Sequence, residues 1–173
     1  MTRRRSPRRA WPRPDGQTGH VRIYLPATVD ELEPVHGHRP PLAPRVVHAV
    51  TPALRDALHD EDEEGCEFAA HLAAADDSLL RIAGRPGTPH QRLVVTAVVP
   101  ESFVEHRDVD EAPSALMLTT AVPWDRVVCV HVDELEAMSD VAATLRGDED
   151  AAARLSEVDL LWYDVSEVDD LPR

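Results

Sequence analysis

The first nineteen residues differ so sharply from the rest that they confine any folded domain to residues 20–173. Residues 1–19 carry six arginines, one acidic residue and no apolar periodicity. Residues 20–173 carry 12 arginines and 31 acidic residues, so the whole-chain charge of −14 conceals a strongly acidic body. A segment without periodic apolar residues cannot contribute a core face. We therefore predict a disordered Arg/Pro-rich tail over 1–19, or a wrongly assigned start, and one acidic α/β domain over 20–173.

Composition restricts the classes of partner. The acidic body disfavours nucleic acid, because phosphate contacts require clustered cations, and only the tail offers those. The longest uncharged stretch, residues 112–124, is too short to cross a bilayer and contains two prolines, so no membrane partner is expected. Cys66 and Cys129 are far apart and fit no disulfide framework, which favours reduced thiols and a cytoplasmic location. A protein partner is the expectation, with self-association left open.

Local signals place the first elements. Residues 21–25 are predicted to form a strand that ends at Pro26, because proline lacks the N–H that a ladder needs. Thr28 and Glu31 have the spacing of a helix capping box. A second strand over 45–50 leads into a helix for which Thr51 is the predicted N-cap.

Helical periodicity predicts a long helix after the acidic run at 60–64. The apolar stripe expected to face the core has helical spacing and consists of Phe68, Leu72, Ala75, Leu79 and Ile82. The later elements are predicted as a strand at 92–99, a loop at 101–113, strands at 114–122 and 127–132, a helix from Asp133 to Arg146, a short helix around 150–155 and a strand at 160–165. This order predicts an α/β fold, with α+β as the alternative: a single domain with a mixed sheet of about five to six strands and helices packed on it.

Several stretches of sequence together carry a family resemblance. They are VRIYLPAT at 21–28, AVTPALR at 49–55, PW at 123–124 with VHVDE at 130–134, and LLWYDV at 160–165. These resemble a family of short, uncharacterised actinobacterial proteins that contain a domain of unknown function. Members of that family typically start at the first strand, which implies that residues 1–19 are an extension or the result of a wrongly assigned start. The resemblance implies no activity, cofactor or site.

Known catalytic signatures do not occur in the chain. No two of its seven glycines form a Gly-x-Gly motif and it contains no lysine, so dinucleotide and Walker-type sites are disfavoured. No serine lies in a Gly-x-Ser-x-Gly motif, which disfavours nucleophilic catalysis. No cofactor is predicted.

His131 is the first candidate site residue. It shares a predicted strand face with Cys129 and lies near the strand's C-terminal end, where α/β sheets place ligand sites. Its imidazole could ligate a metal or transfer a proton with Asp133 or Glu134. The alternative is a sheet histidine bonded to a backbone carbonyl, with Asp133 as the helix N-cap.

Weaker candidates lie on the helices. Asp76 is predicted on the flank of the apolar stripe, where partial burial would raise its pKa, or at a boundary position open to water. The helix starts after Thr28, Thr51 and Asp133 could jointly offer N–H groups to an anion.

Two functions remain in competition. The leading prediction is a non-enzymatic, cytoplasmic protein-interaction or regulatory module, with Trp162 and Tyr163 as an anchor if they are exposed. The alternative is a small ligand- or metal-binding domain or enzyme, with its site at the strand C-terminal edge near His131.

Overall fold

A computed structural model describes residues 19–106 and 112–172. The predicted tail therefore lies outside the described residues, apart from Gly19. The strands are β1 His20–Ala27, β2 Val46–His48, β3 Leu93–Pro100, β4 Val104–His106, β5 Ala115–Leu118, β6 Val127–Val132 and β7 Leu161–Asp164. The α-helices are α1 Pro52–Ala57, α2 Glu63–Ala83, α3 Met138–Leu145 and α4 Glu149–Ser156. Single 3-10 turns occupy Val29–Leu32, Glu101–Phe103, Trp124–Arg126, Leu135–Ala137 and Val165–Asp170.

All seven strands of the described chain belong to one sheet, in the order β4-β5-β2-β1-β3-β6-β7. The predicted combination of a sheet with helices is confirmed. The prediction of a mixed sheet of five to six strands is wrong, because every pairing is antiparallel and β4 lies within the segment predicted as a loop. The helical crossover from β2 to β3 does connect strands that run the same way. They flank β1, however, and so never pair with each other.

Strand β1 continues through Pro26, where its end was predicted. Pro26 lies opposite Val94 of β3, while its carbonyl accepts a hydrogen bond from Arg45 Nη1 at 3.0 Å on the other side of the strand. In an antiparallel strand the N and C=O of one residue point to the same side. The missing N–H therefore faces Arg45, and the ladder with β3 does not need it.

The predicted cap signals correspond to real helix starts. Thr51 Oγ1 accepts a hydrogen bond from the Leu54 N–H at 3.0 Å and opens α1. The Thr28 N–H donates to Glu31 Oε2 at 3.0 Å, as a capping box requires, although a single 3-10 turn follows instead of an α-helix.

Helix α2 covers one side of the sheet with a face other than the predicted stripe. Phe68 and Leu72 are 53% and 38% exposed, whereas Ala75 and Ile82 are buried. The residues that face the sheet recur every four positions and are small: Cys66, Ala70, Ala74 and Ser78. Small side chains let the helix lie close to the strands, and the larger apolar groups are left on its flank. The predicted stripe is therefore buried at Ala75 and Ile82 and exposed at Phe68 and Leu72.

The remaining helices and turns complete two further layers. On the α2 side, α3 and α4 pack against the C-terminal half of α2 through Ile82, Val141 and Leu155. The opposite side of the sheet holds the main core, which the 3-10 turns and the chain near Leu42 and Leu171 cover. Within the described ranges, no helix combines the length and the apolar composition that crossing a bilayer requires.

Candidate functional site

The register of β6 and β7 places two predicted candidates side by side. His131 lies directly opposite Trp162. The Asp133 N–H donates to the Arg92 carbonyl of the neighbouring chain segment at 3.1 Å, so alternate residues of β6, including His131, direct their backbone groups toward β3. His131 and Trp162 are therefore a pair without mutual backbone hydrogen bonds, the type in which side chains approach most closely.

A second histidine, which the sequence analysis missed, packs against His131 from α2. The His71 ring of α2 lies edge-on to the His131 ring, with centroids 4.5 Å apart and planes at 62°. On its other side His71 meets Tyr24, with centroids 5.9 Å apart. No sequence signal links His71 to His131, because they are 60 positions apart and only the packing of α2 on the sheet joins them.

Both imidazoles have a buried nitrogen without a hydrogen-bond partner among the described residues. These atoms are His71 Nε2 and His131 Nδ1. Burial lowers the pKa of His71 to about 4, and the nearby charges of His131 and Arg92 act in the same direction. Burial also lowers the pKa of His131. Both rings are thus neutral at pH 7, so one nitrogen of each ring carries a hydrogen and the other is an acceptor.

Exposed apolar side chains lie on α2, which carries His71, and opposite His131 on β7. Phe68 lies three residues before His71 and four residues before Leu72, so the three side chains form one ridge on α2. Trp162 is 58% exposed, and Phe68 is 53% exposed. We name this region the α2–β7 surface; it consists of Phe68, His71, Leu72, His131 and Trp162. It combines large apolar groups with two neutral imidazoles.

Trp162 and Tyr163 do not act together. Successive residues of a strand point to opposite faces. Tyr163 is partly buried and packs against the main core, while Trp162 lies on the α2 side. Only Trp162 is therefore available as an anchor.

Asp133 has a structural role instead of the predicted one. Its carboxylate is fully buried and accepts from the Arg92 N–H at 2.8 Å, from Nε at 3.0 Å and from Nη2 at 2.8 Å. The prediction that Asp133 caps the next helix is wrong, because Glu134 precedes the turn at Leu135–Ala137. Since Arg92 occupies both carboxylate oxygens, Asp133 is not placed to exchange a proton with His131.

The three predicted helix starts do not converge. Thr51 is buried, and its hydroxyl donates to the Pro113 carbonyl at 2.5 Å while accepting from Leu54. Thr51 follows β2, which runs antiparallel to β1, so Thr51 lies at the opposite end of the strands from Thr28 and Asp133. Neighbouring strands of an antiparallel sheet have their C-terminal ends at opposite ends of the sheet. The three helix starts therefore cannot form one anion site.

Asp76 lies on the solvent-facing side of α2. Its side chain is exposed, and it follows Leu72 by four residues. Partial desolvation raises the pKa of Asp76, as does the neighbouring Asp77, whereas Arg92 and His48 act in the opposite direction. Asp76 thus borders the α2–β7 surface without entering it.

A Ser–His–Asp chain that no sequence motif revealed lies beneath the other half of α2. His48 Nδ1 is 2.8 Å from Ser114 Oγ, and His48 Nε2 is 3.2 Å from Asp77 Oδ2. Ser114 is 2% exposed, so an electrophile cannot approach its hydroxyl. The chain therefore holds β2, α2 and the start of β5 together, as buried polar groups with partners do.

Other possible sites are already occupied by internal contacts. The open cleft of about 380 Å³ is lined by Asp30, Arg85, Pro86, Gly87 and Thr88. The Asp30 carboxylate accepts hydrogen bonds from Arg85 and Thr88. No group of three or more histidine, cysteine, aspartate or glutamate side chains suited to a metal ion occurs in the part of the chain that the structure covers.

A family of unknown function, DUF6912, matches residues 21–171. The chain belongs to the DUF6912 family. The DUF6912 match spans the sheet from β1 to the last core residue, Leu171, and so includes the whole α2–β7 surface. The predicted resemblance to an uncharacterised family is confirmed. No curated protein and no solved structure matches the chain.

Proposed function

We propose that this DUF6912 protein is a non-enzymatic, cytoplasmic protein-interaction module that binds a partner protein through the α2–β7 surface. The observation that carries the proposal is the 58% exposure of Trp162, which lies opposite His131, together with the 53% exposure of Phe68 on the helix whose His71 contacts His131. Large aromatic groups that stay exposed next to one another typically mark binding surfaces, and tryptophan is enriched among the residues that dominate binding energy.

The charge around this surface supports a basic partner. Residues 155–172 contain six acidic residues and no arginine. Hydrogen bonds from Ser166 lower the pKa of Asp164, which keeps that carboxylate ionised well below neutral pH. A concentration of negative charge attracts cationic partners and accelerates their association, most strongly at low ionic strength.

The internal use of the reactive side chains favours binding over catalysis. Asp133 is held by Arg92, and His48 has a partner at each ring nitrogen. Groups of the α2–β7 surface, by contrast, have exposed area and unpartnered atoms. The exposed side chains of the α2–β7 surface itself are thus the apolar Phe68, Leu72 and Trp162.

The test compares the proteins that co-purify with the full chain and with two alanine variants. Trp162→Ala should remove the specific partner. Leu80→Ala is the matched control, because Leu80 is 69% exposed on the same helix as Phe68 and lies outside the surface. A partner set that is unchanged by Trp162→Ala, or lost equally in both variants, would refute the proposal.

A ligand site at the histidine pair is the second candidate function. The observation that favours it is the pair of unpartnered nitrogens, His71 Nε2 and His131 Nδ1. Two imidazoles supply only part of the four ligands that zinc takes, so water or a second molecule would complete the shell. Thermal unfolding with Zn²⁺, Ni²⁺ or small anions is the test, since a ligand at 100 times its Kd adds about 2.7 kcal/mol. An absence of any shift, or a shift that persists in His131→Ala, would refute it.

A further inference from the structure

Strand β7 is an end strand of the sheet and has one unpaired side. No described strand lies beyond it. The pairing of β6 with β3 turns the backbone of His131 toward β3, and His131 opposes Trp162. The N–H and C=O of Trp162 therefore point away from β6, toward the open side. Such an edge is a template for another strand.

The neighbouring backbone restricts how much of the edge is available. The Asp164 N–H, which has the same orientation as that of Trp162, already donates to Glu167 Oε2 at 2.9 Å. The available donor and acceptor pair thus lies at Trp162, in the middle of a strand of four residues. A short extended segment fits this edge, whereas a long one would meet the turn that begins at Val165.

The side chains along the edge indicate what such a segment would carry. Leu161 and Trp162 are 38% and 58% exposed and lie on opposite faces of the sheet, so an added strand meets apolar surface on both faces. The exposed carboxylates nearby include Asp159, Glu167 and Asp170. They would repel a second copy of this chain, which brings the same acidic residues, and would attract arginine or lysine.

We propose that β7 binds a short, extended, Arg- or Lys-rich segment of a partner protein by strand addition, with Trp162 supplying both the backbone pair and the apolar contact. The inference rests on the proposed function and adds the mode of binding and the chemistry of the partner. Main-chain hydrogen bonds provide affinity in strand addition, and alternate side chains provide selectivity.

The test titrates the full chain with synthetic peptides of eight residues that alternate arginine and valine. Two N-methylated versions of the peptide distinguish strand addition from charge attraction alone. Methylation of the amides on one edge of the peptide should abolish binding, and methylation of the other edge should leave it intact. Trp162→Ala should weaken binding at least about tenfold, which corresponds to about 1.4 kcal/mol, and Leu80→Ala should not. Trp162→Phe, which keeps an aromatic ring, should show an intermediate loss.

Each contrary outcome has a distinct meaning. Equal binding by both methylated peptides overturns strand addition, because charge alone would then explain the affinity. Binding seen only after the six arginines of residues 1–13 are replaced by serine identifies the chain's own N-terminal segment as the occupant and overturns an external partner. A dimer that dissociates in Trp162→Ala identifies a second copy of the chain as the occupant.

If the peptides fail to bind while co-purification still depends on Trp162, the proposed function stands and strand addition is wrong. If the peptides fail and co-purification does not depend on Trp162, both proposals are wrong.

Discussion

The two halves of the sheet face covered by α2 use histidine in opposite ways. In the β2 half, His48 is 2% exposed and has Ser114 and Asp77 at its two ring nitrogens. In the β6–β7 half, His131 and His71 contact each other, and one nitrogen of each has no partner among the described residues.

The difference follows from the position of α2. The helix lies over β1 and its neighbours, so Asp77 reaches His48 on β2 and closes that half. On the other flank His71 contacts His131 of β6, while Phe68, Leu72 and Trp162 stay exposed. The same residue type is therefore part of the scaffold on one side and part of an accessible surface on the other. If this contrast is correct, substitutions of residues with internal partners should affect stability, and substitutions on the α2–β7 surface should affect binding.

The largest expected effect concerns the buried ion pair between Arg92 and Asp133, which lies at the end of β6. Asp133→Ala leaves the Arg92 guanidinium buried without its carboxylate and should cost about 3–5 kcal/mol of unfolding free energy. Urea denaturation measures it. The double replacement Arg92→Leu with Asp133→Leu should cost clearly less, since it leaves no uncompensated charge. A loss below about 1 kcal/mol for Asp133→Ala would show that the pair is solvated in the folded protein.

The next effect compares the two strand histidines directly. His48→Phe should destabilise the protein by about 1–3 kcal/mol, because Ser114 loses its buried partner. His131→Phe should be neutral or stabilising, because it replaces a ring nitrogen that has no partner among the described residues. Both variants are measured by urea denaturation at pH 7. Equal losses in the two variants would abolish the distinction between the halves.

A smaller effect is expected from pH. The pKa of His71 is about 4 in the folded protein, below the ordinary value of 6.5 that the unfolded chain shows. The unfolded state therefore binds more protons between these values, and stability should decline as pH falls from 6.5 toward 4. Urea denaturation at pH 7 and pH 5 measures the decline. His71→Phe should reduce it and the exposed control His59→Gln should not; an identical decline in all three proteins would contradict the assignment.

The smallest stability effect is expected at Trp162. Although Trp→Ala in a core typically costs about 3–5 kcal/mol, Trp162→Ala should cost less than about 1 kcal/mol, because the side chain is more than half exposed. Thermal unfolding provides the measurement. A loss of stability as large as that of a core tryptophan, about 3–5 kcal/mol, would show that Trp162 belongs to the buried scaffold and not to the binding surface.

Local sequence signals predicted the local parts of this structure. The N-cap at Thr51 and the capping box at Thr28 depend on residues three positions apart, and both are present. The face of α2 was mispredicted because small residues face the sheet. The number of strands was underestimated because β4 is only three residues long and lies in a polar segment.

Only part of the candidate site could be predicted from the sequence, because its contacts depend on strand pairing and helix packing. His131 and Trp162 were each singled out, yet their pairing requires the antiparallel β6–β7 register. His71 and the Ser114–His48 contact carry no signal at all, since they arise from contacts between residues distant in sequence.

Amide hydrogen exchange of the full chain, with and without the arginine–valine peptide, tests the contrast between the halves most directly. The Ala49 N–H donates to the Ser114 carbonyl at 2.9 Å in the closed half and should be protected in both samples. The Trp162 N–H points to the open edge and should exchange rapidly alone and slowly with peptide. Protection of Trp162 without peptide, or no change on its addition, would contradict an open β7 edge that accepts a strand.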